Sequence, residues 1–404
     1  MEKSNSKRVE ELLAFSLGMI NGQDGRMLIE KYKDAIENVT PHDMLKLEDK
    51  QMQMGLTPAT IKQDVEKVIN VFSKSLENYQ WNKPKEGTFL YYLILENEAF
   101  AFKLNAIKKI LKSYKGKEES DFAQLKVKLL PLFMEFYSFD NHYIKKENIL
   151  FPYLEGVWES YRPLKVMWSL HDHIRRTLKQ LVAILEQAGS QWSEFNPILG
   201  KYYSLVFRMI QKENIIIIPV VSETVSDAVW EKMHLQSFDY PFPFIEAPLR
   251  PQGIDKKIKE HIEPSAYKGG NIVSETGSMS VQQALLMFNH LPVDLTFVDE
   301  NNRVVFFNNS TERFFPRSPE IVGRLVQNCH PPESVHMVVK IVEAFRAGER
   351  DKASFWINMK GRFILIQYFA VRDSNGAYKG VLEVSQDVTD IRSLTGERRL
   401  LDWK

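Results

Sequence analysis

Between residues 88 and 230 four long stretches repeat apolar residues at helical spacing: "TFLYYLILENEAFAFKLNAIKKILKSY", "DFAQLKVKLLPLFMEFYSFDNHYIKKENILFPYLE", "PLKVMWSLHDHIRRTLKQLVAILEQAG" and "FNPILGKYYSLVFRMIQKENIIIIPVVSETV". Each can run the length of a four-helix bundle, and breaks near Gly116, Gly156 and Gly189 supply short turns that leave neighbours antiparallel. Four such helices can enclose a site. The second and fourth share a near-duplicate phrase, "HYIKKENILFP" at 142–152 and "QKENIIIIP" at 211–219, each closed by a proline that cannot continue helical hydrogen bonding.

The flanking regions have other textures. Residues 1–80 read as a helical N-terminal domain, from "VEELLAFSLGMI" to "TIKQDVEKVINVFSKSL", and the bundle occupies 81–233. Residues 234–279 are rich in proline, then in glycine and serine, and read as a linker with an aromatic segment packed on a neighbour. Residues 280–393 open with the helix "VQQALLMFNHL". "DLTFVDENNRVVFFNN" then predicts two strands around an Asn-containing turn, and three more strands turn at "MKGR" and "DSNG". Short helices are expected around "STERFF" and "PESVHMVVKIVEAFRAG". The predicted fold is therefore multidomain, mainly α, followed by an α+β domain with a five-stranded antiparallel sheet and a tail at 394–404.

At 404 residues more than one domain is expected. A net charge of +1 gives no electrostatic footprint for nucleic acid or an anionic membrane. No apolar run approaches the roughly 18 residues of a membrane span, and "MEKSNSKRVEELLAF" holds no apolar signal core, so a cytoplasmic protein is expected. The one cysteine, Cys329, excludes an internal disulfide and any all-cysteine metal site within one chain.

From about residue 280 onward, "LPVDLTFVDENNRVVFFNNSTERFF", "VGRLVQNCHPPESVH" and "YFAVRDSNGAYKGVLEVSQDVT" resemble a PAS sensor domain. Over nearly its whole length the chain resembles a bacterial family in which a helical domain, domain-of-unknown-function 438, precedes a hemerythrin-like HHE bundle and a terminal PAS domain. "LEDKQMQMGLTPATIKQDVEKV" matches the first part, and "HYIKKENILFPYLE", "VMWSLHDHIRR" and "QKENIIIIP" match the bundle. This chain departs from the pattern in two places. Thr88 and Tyr91 stand where relatives carry histidines, and Gln63 and Glu66 replace a cysteine and a histidine.

The resemblance implies a metal site, with non-heme iron, built from His142, Glu147, His171 and Glu213, and with Glu96 pointing in from the first bundle helix. Such sites often use His-x-x-x-Glu, because four residues return to nearly the same helix face. His142 and Glu147 are instead five apart, about 140° around an ideal helix, so both face one metal only where the helix bulges. Aligning the duplicate phrases on Pro152 and Pro219 sets Lys146 against Glu213, Glu147 against Asn214 and His142 against Met209, so neither helix keeps the motif intact. The plainer alternative is a glutamate after lysine in "KEN" that is solvated or capping, with "ILFP" and "IIIIP" as core helix ends. On that view at most one of His171 and His173 faces inward, while Asp172 and Arg175 pair at the surface.

In the PAS region Cys329, His330 and His336 are the candidate cofactor-binding residues, for heme or a small ligand, with Cys329 also a candidate thiol sensor. The alternative is a cysteine packed as a small hydrophobe and histidines bonded to backbone near a helix start. Arg313, Arg317, Arg324 and Arg372 suit either an anionic ligand or the surface.

Three functions follow as expectations. The first is a non-enzymatic sensory or regulatory protein whose PAS domain and bundle bind a small ligand or metal and signal through protein–protein contacts. No kinase, cyclase or DNA-binding segment follows "GERRLLDWK", so its output would be an unknown protein partner or a second copy paired through "VQQALLMFNHL" as a homodimer. The second is a non-heme iron protein handling oxygen, nitric oxide or iron-sulfur repair. The third is a metal-free scaffold.

Overall fold

Thr40 and Thr57 each stand one residue before a proline, and both open a helix. Thr40 caps α4 (Pro41–Gln53) in a reciprocal capping box with Asp43, and the Thr57 hydroxyl accepts from the Thr60 N–H to start α5 (Pro58–Glu77). With α1 (Glu2–Ile20), α2 (Gly25–Lys31) and α3 (Lys33–Glu37) they form the N-terminal helical segment. The computed structural model describes residues 2–250, 270–310, 313–359 and 361–397, with side chains 2–5, 59 and 62–69 left aside. The Gln63 and Glu66 side chains thus lie outside the described residues. It divides into two compact units, Met1–Gln252 and Gly253–Lys404.

The four long helical patterns become the bundle. The first is α6 (Phe89–Ser113). The second runs through α7 (Phe122–Glu135), a 3-10 turn at Phe136–Phe139, α8 (Asp140–Lys145), a π-helix at Lys146–Leu150 and α9 (Phe151–Val157). The third is α10 (Pro163–Glu186). The fourth is α11 (Trp192–Lys212), a second π-helix at Glu213–Ile217 and α12 (Ile218–Thr224). Both π-helices sit just before a proline. Pro152 and Pro219 have no N–H for the carbonyl four residues back, and their rings crowd it, which a wider turn accommodates. The Phe151 N–H reaches back to the Lys146 carbonyl and the Ile218 N–H to that of Glu213, each five residues away.

One core joins the N-terminal helices to the bundle, running from Phe15 and Phe72 through Leu47 and Ile61 to Phe133, Phe151 and Tyr202. Polar ties reinforce it. The Lys212 ammonium of α11 is buried against both oxygens of Glu48 in α4, at 2.6 and 2.7 Å, and Arg162 bonds Asp49 at 3.0 and 3.1 Å. After α13 (Asp227–Ser237) the aromatic part of the expected linker folds back onto the bundle. Phe244 lies against Phe100 and Phe139, and the Phe242 ring sits 4.2 Å from the Lys145 ammonium.

The second unit holds a hairpin of β1 (Asn271–Ser274) and β2 (Gly277–Ser280), where glycine and serine content suggests only linker. Helix α14 (Val281–His290) follows, then a five-stranded antiparallel sheet of β3 (Asp294–Asp299), β4 (Val304–Phe307), β5 (Lys352–Met359), β6 (Arg362–Arg372) and β7 (Tyr378–Asp387), in the order β4-β3-β7-β6-β5. Asn302, at φ 64°, makes the β3–β4 turn, and Asp299 accepts from the N–H groups of Asn301 and Arg303. Gly380 lies where an added Cβ would stand 2.0 Å from the Val298 carbonyl oxygen, so β3 and β7 pair this closely only over a glycine. Helix α15 (Val335–Arg346) packs its Val342 and Phe345 into the small core with Val298, Val304 and Val381. The helix expected at "STERFF" is not found over Arg313–Phe315, because Asp294 accepts from the Phe314 and Phe315 N–H groups and holds that stretch open; Thr311 and Glu312 lie outside the described residues. Among the described residues no helix is long and apolar enough to cross a membrane.

The Lys212–Glu48 pair supplies a stability test. Lys212→Met is expected to lower the unfolding free energy by roughly 3–5 kcal/mol, because Glu48 is left as a buried, unpaired charge. Lys212→Met combined with Glu48→Leu should recover much of that loss, and urea denaturation of both variants measures the difference.

Candidate functional site

The packing of the helices brings Glu96 and Asn97 of α6, His142 and Lys145 of α8, Lys146 and Glu147 at the start of the first π-helix, His171 of α10 and Glu213 of the second π-helix into the interior of the bundle. All eight side chains are buried. Glu96, Asn97, His142, Lys145, Lys146 and Glu213 join in one hydrogen-bonded network, and Glu147 and His171 pair beside it. His142 sits between two carboxylates, with Nδ1 2.7 Å from Glu96 and Nε2 3.1 Å from Glu213. The Lys145 ammonium donates to the other oxygen of Glu96, the Lys146 ammonium donates to the other oxygen of Glu213, and Asn97 Nδ2 adds a bond to Glu213 at 2.9 Å. Glu147 turns to a different pair, accepting from His171 Nδ1 at 2.6 Å and from both terminal nitrogens of Arg175 at 3.0 Å. The Tyr143 ring fills the space between, stacked on His171 at 4.3 Å and lying beneath Lys146 and Arg175.

The structure thus brings His142 and Glu213 into direct contact and His171 onto Glu147. The five-residue step from His142 to Glu147 crosses into the widened turn, yet the two side chains serve different partners. The glutamates of the "KEN" phrases are buried rather than solvated. Arg175, expected at the surface with Asp172, keeps that contact at 3.2 Å but spends its fork on Glu147, with a further bond to Asp140. His173 is half-buried, while His171 is fully enclosed. Thr88, where relatives carry a histidine, caps α6 by accepting from the Tyr91 N–H. Periodicity did not single out Lys145, Lys146 or Asn97 as members of the site, although the two lysines lie three and four residues beyond His142 and so share its face.

The electrostatics follow from burial in close quarters. Burial pushes the Glu213 carboxyl up, but the Lys146 ammonium and the bonded His142 ring outweigh it and hold Glu213 far below the usual carboxylate range. Burial lowers Lys145 and Lys146, and Glu96 and Glu213 pull them part of the way back. Burial, with Lys146 and Arg175 nearby, drives His171 well below the ordinary histidine value, so its ring is neutral. Its Nδ1–H goes to Glu147, and Nε2 has no partner.

This donor set does not fit a bound metal pair. The carboxylates of Glu96, Glu147 and Glu213 are balanced by Lys145, Arg175 and Lys146, and both nitrogens of His142 are committed. His171 Nε2 is the one open nitrogen on the two expected histidine ligands, and one donor is fewer than a metal needs. Among the described residues no group of three or more His, Cys, Asp or Glu is arranged to hold a metal ion.

The second unit carries its own polar interior. Across the inner face of the sheet one row reads Phe307, Thr296, Glu383, Tyr368, Ala353. Arg317 lies 3.7 Å from Glu383, and Arg313 donates to Thr296 Oγ1 at 3.2 Å. Arg317 Nε and Ser385 Oγ are buried without a partner. His330 faces Arg317 and Arg324; burial and these guanidiniums lower it to about 4, leaving it neutral. Cys329 ends a 3-10 turn, half-buried against the core, and its Sγ donates to the Leu325 carbonyl at 3.7 Å. His336 is exposed in the first turn of α15, and Arg372 is tied to Asp351 and the Phe345 carbonyl.

Comparison with known proteins divides along the same lines. Residues 88–221 match the family model of the hemerythrin HHE cation binding domain, and residues 285–389 match that of a PAS domain. Among solved structures, the chain is similar to a C-terminal domain from Streptococcus mutans at 38% identity, covering 31% of this chain and 98% of that one with a TM-score of 0.30. It is also similar to the PAS domain of a protein from Colwellia psychrerythraea at 19% identity, covering 27% and 98% with a TM-score of 0.23. The PAS domain of BvgS from Bordetella pertussis matches at 16% identity, covering 28% and 89% with a TM-score of 0.24. No curated protein matches the chain.

Acid should find this network. A histidine held below its unfolded value contributes stability above about pH 6.5 that is lost as the pH falls, and a depressed carboxyl contributes stability above about pH 4.3 that is lost toward its folded value. Unfolding free energies from urea titrations are therefore expected to fall below about pH 6.5, by at most roughly 1.4 kcal/mol per pH unit for each proton taken up. His171→Gln, which keeps a donor for Glu147 and cannot titrate, should remove its share of that slope and leave the share of His330, which is lowered in the same direction.

Proposed function

We propose that this chain, which joins a hemerythrin HHE domain to a PAS domain, is a cytoplasmic sensory or regulatory protein that works by binding rather than by turnover. Its PAS unit takes up a small anionic ligand. The observation that carries this reading is the polar end of the sheet's inner face. Arg317 reaches Glu383 there, Arg313 donates to the neighbouring Thr296, and His330 faces Arg317 and Arg324, with Arg317 Nε and Ser385 Oγ unsatisfied, in a place where a domain that only had to fold would bury apolar side chains. A carboxylate or phosphate would answer those donors. His330, neutral and facing two guanidiniums, suits an anion lying between them better than a metal-bound porphyrin.

The signal passes by protein contact. Helix α14 exposes Leu286, Met287 and Phe288, an apolar surface suited to a second copy or a partner protein. The iron-protein reading gains no support from the bundle, whose carboxylates are already held by ammonium and guanidinium groups.

The test is a thermal-shift and calorimetric screen of the full chain against small carboxylates and phosphates. At least one is expected to raise the melting temperature of wild type and to lose at least about tenfold in affinity with Arg317→Ala, a loss of some 1.4 kcal/mol. Equal binding by wild type and Arg317→Ala, or binding of neutral compounds alone, would sink the assignment.

A further inference from the structure

The two duplicate phrases can be aligned in two ways. Matching the letters "KEN" pairs Lys146 with Lys212, but leaves the prolines out of step. The backbone settles the choice. The π-helices begin at Lys146 and Glu213, the following helices at Phe151 and Ile218, and the prolines are Pro152 and Pro219, all at one offset. In this register Lys146 is the counterpart of Glu213, and these two counterparts bond to each other in the bundle centre. Lys145 is the counterpart of Lys212, and each is a buried ammonium on a buried glutamate, Glu96 and Glu48.

Position decides what this means. Lys146 lies four residues beyond His142, and Glu213 lies four beyond Met209, so each projects from the same face as the residue before it. Two carboxylates at these matched places would need cations between them to remain charged and buried. With lysine at one place the cation is built into the chain, and its three N–H groups serve the oxygens that a metal would otherwise take. Lys145 does the same for Glu96 from the next position.

We propose that Lys145 and Lys146 stand in for bound cations, so that this bundle core is complete without metal and its match to a cation-binding family reflects the fold. The proposal rests on the bundle alone and is independent of the PAS ligand. The chain should therefore fold, and keep its melting temperature, in chelator.

Three preparations of the full chain test this. Wild type purified in the presence of ferrous iron or zinc should retain less than about a tenth of a metal ion per chain, and EDTA should move its melting temperature by no more than about 1 °C. Lys146→Glu combined with Met209→His restores a histidine and a carboxylate four apart on both helices. It should take up about one or more cobalt(II) ions per chain, with visible absorption bands, and melt higher with the metal than without. Should that variant fail to fold, Lys146→Met serves instead: it leaves Glu213 without its ammonium and should be destabilised, with zinc recovering part of the loss. Wild type holding near-stoichiometric metal that His142→Ala removes would overturn the proposal. So would a folded Lys146→Glu, Met209→His variant that takes up no cobalt, or a Lys146→Met variant as stable as wild type and indifferent to zinc.

Discussion

Carboxylates can stay ionised in the dry centre of a helical bundle only where each meets a cation at hydrogen-bond distance, because moving an unpaired charge out of water costs several kcal/mol even after relaxation. The bundle is arranged around that constraint. Glu96, Glu147 and Glu213 come from three different helical segments, and each is answered from another one: Lys145, Arg175 and Lys146. The widened turns at Lys146 and Glu213 set where the two central partners project, and the aromatic return after α13 lays Phe242 against the Lys145 ammonium. Lys212 carries the same kind of pairing out to α4, so the N-terminal helices are fastened to the bundle by an ion pair as well as by apolar packing.

Much of this architecture was legible in the sequence, for definite reasons. Helical periodicity and glycine breaks located the four bundle helices, and alternation with turn residues located the five strands. That Glu96, His142, His171 and Glu213 turn inward was implied by the family resemblance, while the residues alone left a solvated glutamate open; all four are buried. Their partners were not legible. Periodicity reports which way a side chain points along its own helix and says nothing of what comes to meet it from a segment tens of residues away. Lysine compounds the difficulty, since it is among the residues least often fully buried, and only a contact such as Lys146 to Glu213 makes its burial tolerable. The five-residue interval from His142 to Glu147 let both face one metal only if the helix bulged; a π-helix is there, yet the two serve different partners. The residue that the π-helix brought to the centre beside Glu213 was Lys146, the position before Glu147.

The PAS unit shows the reverse balance. Its strand order and turns follow from local signals, as at Asn302 and the close approach over Gly380. Its polar interior depends on side chains from the irregular stretch between β4 and α15, where no period operates. Cys329 and His330 stand out by residue type, yet the guanidiniums of Arg317 and Arg324 set the character of the space that His330 faces. An arginine in a loop carries no sign of whether it turns inward.

The pairing of Lys146 with its own repeat counterpart depends on the two halves of the bundle being unlike. Were the two repeats identical, as two copies of one half-bundle must be, that position would face itself, and the choice would lie between two carboxylates and two ammoniums. Neither makes an ion pair. A lysine opposite a glutamate is available only to halves that differ in sequence, so this ion pair is one that a single chain carrying both halves can make and an assembly of two identical half-bundles cannot.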